Sequence, residues 1–202
     1  MPRENRFVYA VLSSVAYKAN LQDKYKQLKK YGLNRDYYIL KQYTNRDITT
    51  FYDFIDSKVV VSFRGTDNKN VLGMRYEDLM TDYQLAIGRL RLTDRFQEAK
   101  DMLNKIIDKY GKGIRGKNSN IILTGHSLGG AIADYLSDIY KLPAFIYNTG
   151  SSPLSVINNP IPIRYTTGNF DILSLSDKLY NESITASKGG HGIQDFIKRG
   201  KM

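Results

Sequence analysis

One ten-residue stretch constrains this chain more than any other: Ile121-Ile122-Leu123-Thr124-Gly125-His126-Ser127-Leu128-Gly129-Gly130. An apolar run enters it. An amphipathic segment leaves it, with Leu128, Ala131, Ile132, Tyr135, Leu136 and Ile139 at helical spacing. G-x-S-x-G is a weak pattern alone, and the strand–turn–helix setting makes it specific. Such a turn lifts one serine hydroxyl clear of a sheet. Gly125 and Gly129 remove the Cβ atoms that would collide where strand and helix nearly touch. Ser127 also stands at a helix N-terminus, whose free N–H groups and dipole favour negative charge. It is therefore a candidate nucleophile, and the Leu128 amide a candidate oxyanion donor. The competing interpretation is a glycine-rich turn with a structural serine.

The remaining pattern predicts an α/β fold. Helices are expected over about Asn5–Lys18, Leu21–Lys30, Tyr76–Ile87, Asp94–Tyr110, Leu128–Tyr140 and Ile193–Lys198. Thr93 or Asp94 can cap the fourth of these, and Gly111 stands where a C-terminal glycine belongs. Tyr37–Tyr43 and Ile48–Phe54 flank Thr44–Asp47 as a hairpin. Lys58–Arg64 is a β-branched run that reads as a strand buried on both faces. Further strands are expected at Asn120–Thr124, Ala144–Asn148 and Ile163–Thr167. Strands alternate with helices in the second half, so a mostly parallel sheet with an antiparallel N-terminal hairpin and helices on both faces is expected. The 202 residues fit one domain.

A serine hydroxyl needs a base to take its proton, and histidine has the right pKa range. The chain has two histidines. His126 adjoins Ser127 and should point away from it, which leaves His191, in the glycine-rich loop Lys188–Gly192. The orienting acid should follow a strand between serine and histidine. Asp171 does so, and Asp177, six residues later, is the competitor. The order Ser127, Asp171, His191 is that of the α/β-hydrolases.

These residues resemble the class-3 lipases, the family of fungal triacylglycerol lipases and plant phospholipase A1-like enzymes. The likeness is carried by Val59–Thr66, ending Phe-Arg-Gly-Thr, by Glu77–Asp82, by the Gly-His-Ser-Leu-Gly-Gly-Ala turn, by Phe145–Pro153 and by Asn169-Phe170-Asp171. It implies an α/β-hydrolase fold and a second oxyanion donor at Thr66. It implies a lid over about residues 67–80, with Val71, Leu72, Met74 and Leu79 facing acyl chains or a membrane; packing of an ordinary amphipathic helix would use the same residues. The chain departs from the family in having no tryptophan in that lid and no cysteine. A smaller esterase or phospholipase with a minimal lid fits as well as a lipase.

Composition narrows the partners. With no cysteine, disulfides and cysteine metal sites are excluded, and no cofactor is expected. No apolar run approaches the roughly 20 residues of a spanning helix, and no secretory signal is expected. A cytoplasmic or peripheral membrane location follows as an expectation. The formal charge of +10 suits either a solvated surface or an anionic partner. No zinc-finger, RNP or helix-turn-helix pattern accompanies it, so anionic lipid is favoured and nucleic acid is not expected. The alternative to hydrolysis of lipid or phospholipid esters is an inactive hydrolase-fold module that docks on anionic membranes or nucleic acid.

Overall fold

The β-branched run of the first half forms the middle of a sheet that grows outward in chain order. A computed structural model describes residues 3–66, 90–111, 120–148, 162–167, 183–187 and 192–198. Among them seven strands lie side by side: β1 (Tyr37–Ile39), β2 (Ile48–Asp53), β3 (Lys58–Phe63), β4 (Ile121–His126), β5 (Ala144–Tyr147), β6 (Ile163–Thr167) and β7 (Ser183–Ser187). β1, β2 and β3 pair antiparallel, and β3 to β7 pair parallel. The sheet is thus mixed, with the expected antiparallel hairpin at its N-terminal edge.

Alternation along β3 divides the core between two faces. Val59, Val61 and Phe63 pack with α3 (Asp94–Tyr110) and α4 (Leu128–Tyr140). Val60 packs on the other face, with α1 (Arg3–Val15), α2 (Leu21–Lys30) and α5 (Gln194–Lys198). The crossovers through α3 and α4 both step the same way along the sheet, so right-handed connections put both helices on one face. The helices from the two ends of the chain cover the other.

Several boundaries differ from the sequence expectation, for local reasons. α1 stops at Val15, and Asn20 opens α2 in extended conformation with its side chain accepting from the Asp23 N–H. β1 pairs only to Ile39; the Leu40 N–H still donates to the Thr50 carbonyl, then a 3₁₀ turn over Lys41–Tyr43 leaves the sheet and side chains complete the bonding. Thr44 Oγ1 accepts from the Thr50 N–H, Thr50 Oγ1 donates to the Tyr43 carbonyl, and Asn45 Oδ1 accepts from the N–H groups of Asp47 and Ile48. Thr93 caps α3 by accepting from Phe96. Gly111 ends that helix at φ −83°, not in a left-handed turn; a Cβ there would lie 2.6 Å from the Ile107 carbonyl oxygen. β4 continues through Gly125 and His126, and β7 is a strand that periodicity did not predict.

Candidate active site

β4 runs straight into α4, and Ser127 is the single residue between them. It adopts φ 57° and ψ −130°, a positive-φ conformation that residues with side chains rarely take. Such strain is of order 1–3 kcal/mol and persists only where surroundings over-determine it. Here they do. The Ser127 N–H donates to the Tyr147 carbonyl of β5 at 3.0 Å, and the Ser127 carbonyl accepts from Ala131 at 3.1 Å. A Cβ on Gly125 would lie 2.3 Å from the Gly129 carbonyl oxygen, and one on Gly129 would lie 2.1 Å from that of Phe63. Both contacts are with backbone, so neither glycine tolerates a side chain. The serine hydroxyl does not cap the helix it precedes, and Leu128 opens that helix with its amide at the positive end of the dipole.

A second segment closes on the serine from β3. A Cβ on Gly65 would lie 3.2 Å from the Ser127 Cβ, 2.5 Å from the His126 carbonyl oxygen and 2.1 Å from the Tyr17 hydroxyl. The Arg64–Thr66 strap therefore rests against the turn, with Thr66 exposed one residue further on. Arg95 Nη2 donates to the carbonyls of Arg64 and Gly65 and pairs with the Asp47 carboxylate at 3.3 Å. The Asp47 carbonyl in turn accepts from the Arg64 N–H at 2.9 Å. Burial pulls the Arg95 guanidinium below its ordinary value, opposed by Asp47 and Tyr17. His126 is buried, with Nδ1 2.8 Å from the Tyr17 hydroxyl. Nearby Lys24 is buried and donates to Thr49 Oγ1 at 2.7 Å; burial, then the charge of Arg64, brings its ammonium down to about 8.

Of the residues singled out by sequence, Ser127, Leu128 and the strap that ends in Thr66 come together at one edge of the sheet. Asp171, Asp177, His191 and the lid segment 67–80 lie outside the described residues. Sequence reasoning missed Tyr17, Asp47 and Arg95. One signal was available for Arg95: it is a cation in the first turn of α3, where the helix dipole disfavours positive charge. Among the described residues no group of three or more His, Cys, Asp or Glu could hold a metal ion, and no helix is long and apolar enough to cross a membrane.

Fold and site together define a mixed-sheet α/β protein with a serine held on a strained strand–helix turn. Residues 22–141 match the family described as Mbeg1-like. The match spans more than half of the chain, which therefore belongs to the Mbeg1-like family. It runs from α2 to the last turn of α4, and so takes in Asp47, the strap, Arg95 and the serine turn while leaving out Tyr17. Comparison with curated proteins finds no match.

Proposed function

We propose that this chain is a serine carboxylic-ester hydrolase of the α/β-hydrolase type, acting on lipid or phospholipid acyl esters. The observation that carries the proposal is the backbone of Ser127, strained at φ 57° between a parallel strand and a helix N-terminus. Ser127 Oγ attacks the ester carbonyl carbon while His191 takes its proton. Asp171 holds the imidazole, and the amides of Leu128 and Thr66 bind the oxyanion. Collapse of the tetrahedral intermediate breaks the ester C–O bond, and the alcohol leaves with the proton from His191. Water, deprotonated by the same imidazole, then frees the acid. None of these steps calls for a cofactor.

Topology supports the two remaining partners. β4, β6 and β7 are parallel, so their C-terminal ends share the edge that bears Ser127. Asp171 follows the end of β6 by four residues, and His191 the end of β7 by four. Four residues reach at most about 14 Å. Beyond His191 the chain returns toward the serine. Phe196 packs edge-on against Tyr147 at 5.1 Å between ring centroids, and Tyr147 is the residue whose carbonyl holds the Ser127 N–H. The +10 charge favours work at an anionic lipid surface, as a peripheral contact.

A fluorophosphonate probe tests the mechanism. It is expected to label wild-type protein at Ser127 and not Ser127→Ala, with p-nitrophenyl ester hydrolysis falling roughly 10⁴-fold or more in the variant. A folded wild-type protein that takes no label refutes the mechanism. Esters of graded chain length, with and without anionic vesicles, define the substrate.

A further inference from the structure

The strap that carries Thr66 lies past the paired part of β3, where the Arg64 N–H still donates to the Asp47 carbonyl at 2.9 Å. Pairing of β3 ends at Phe63, opposite Ile48 on one side and Gly125 on the other. The next peptide units contain Gly65, a residue whose backbone turns with little steric hindrance. Arg95 adds a side-chain restraint, because a single guanidinium nitrogen faces the carbonyls of both Arg64 and Gly65. Asp47 keeps it there with its carboxylate, and holds the start of the strap through its own backbone carbonyl.

The chemistry turns on one peptide plane. The Gly65 carbonyl and the Thr66 N–H belong to the same trans peptide unit, so they point in opposite directions. A donor that captures the Gly65 oxygen thereby aims the Thr66 N–H away from Arg95. If that unit flipped, a carbonyl oxygen would take the place of the donor and repel a developing oxyanion. We propose that Arg95, anchored by Asp47, is a positioning residue that locks the Gly65–Thr66 peptide with its N–H presented to the oxyanion. The inference rests on the ester-hydrolase reading of Ser127, and it assigns Arg95 a role that makes no contact with substrate.

The test uses the full chain with p-nitrophenyl butyrate and its thionoester, whose sulfur fits an oxyanion site poorly. Arg95→Met is expected to lower kcat roughly 10- to 100-fold, the range that small misplacements of catalytic geometry produce. KM should change less than about threefold, and the oxo-to-thiono rate ratio should shrink with kcat. A structural loss elsewhere would not move that ratio. Arg95→Lys keeps the charge but replaces a planar, preorganised guanidinium with a flexible ammonium that holds the two carbonyls less rigidly, so it should lose only about three- to tenfold. Amide hydrogen exchange over Arg64–Thr66 should quicken in both variants. Arg95→Met with wild-type kcat, or with reduced kcat at an unchanged oxo-to-thiono ratio, overturns the inference. Should Arg95→Met fail to fold, Arg95→Lys with wild-type kcat and ratio overturns it equally. If wild-type protein neither turns over the ester nor takes a fluorophosphonate label, the hydrolase reading itself falls and this one with it; a labelled, active wild type confines any failure to Arg95.

Discussion

On the face of the sheet covered by α3 and α4, the core is mostly aliphatic: Val59, Val61, Leu103, Ile106, Leu123, Ile132, Leu136 and Ile146. The face under α1, α2 and α5 mixes aliphatic residues with more aromatic and polar groups. Tyr9 stacks on Phe145 at 4.2 Å and Tyr147 on Tyr165 at 5.1 Å. Ser13 Oγ meets Thr124 Oγ1 at 2.8 Å, and Lys24 donates to Thr49. The first face is held by volume, which dispersion and burial reward without regard to direction. The second adds to its aliphatic packing a set of oriented groups, each of which needs its partner in place. Tyr17 leaves the end of α1 on this directional face and reaches His126 and Gly65, so the oriented chemistry extends to the serine turn.

The comparison is broken hardest where the aliphatic face meets backbone. Gly129→Ala puts a methyl 2.1 Å from the Phe63 carbonyl oxygen and 2.7 Å from two backbone carbons. Urea unfolding should show a loss of more than about 3 kcal/mol, beyond ordinary overpacking, because backbone cannot move aside as a side chain can. The next effect exposes a polar exception on that face, the fully buried pair of Asp134 on α4 with Arg164 on β6 at 2.9 Å. Asp134→Ala deprives the buried Arg164 guanidinium of the carboxylate to which its Nη2 donates at 2.9 Å and should cost about 3 kcal/mol by the same measurement.

The smallest effect sharpens the polar side and has the opposite sign. A lysine whose folded pKa is about 8 rather than 10.5 destabilises the folded state below pH 8, where it must be charged. As pH rises from 8 toward 10.5, the unfolded chain binds more protons than the folded one, so that penalty lifts. Lys24→Met should therefore gain stability relative to wild type at pH 7, and the difference should shrink by about 2 kcal/mol by pH 10. A difference that stays constant over this range would show that Lys24 is not desolvated.

Most of the scaffold was legible in the amino-acid order. α2, α3, α4 and β6 have the expected limits, because strong periodicity, capping residues and β-branched runs act over a few residues. The serine turn was legible for the same reason: Gly125, Ser127 and Gly129 are neighbours in the chain, and their steric requirement is local. β7 was not. Ser183-Ile184-Thr185-Ala186-Ser187 has little apolar content of its own and becomes a strand by pairing with β6.

The sequence by itself determined the alternation of strands and helices, the strained turn and the identity of the candidate nucleophile. Only the tertiary structure decided that Gly65 would lie against Ser127, that Tyr17 would stand behind both, and that Arg95 would reach the strap from a helix 30 residues away. The physical reason is range. Sterics and periodicity are written in neighbouring residues, whereas a hydrogen bond between distant segments exists only after burial has brought their backbones within 3 Å or so.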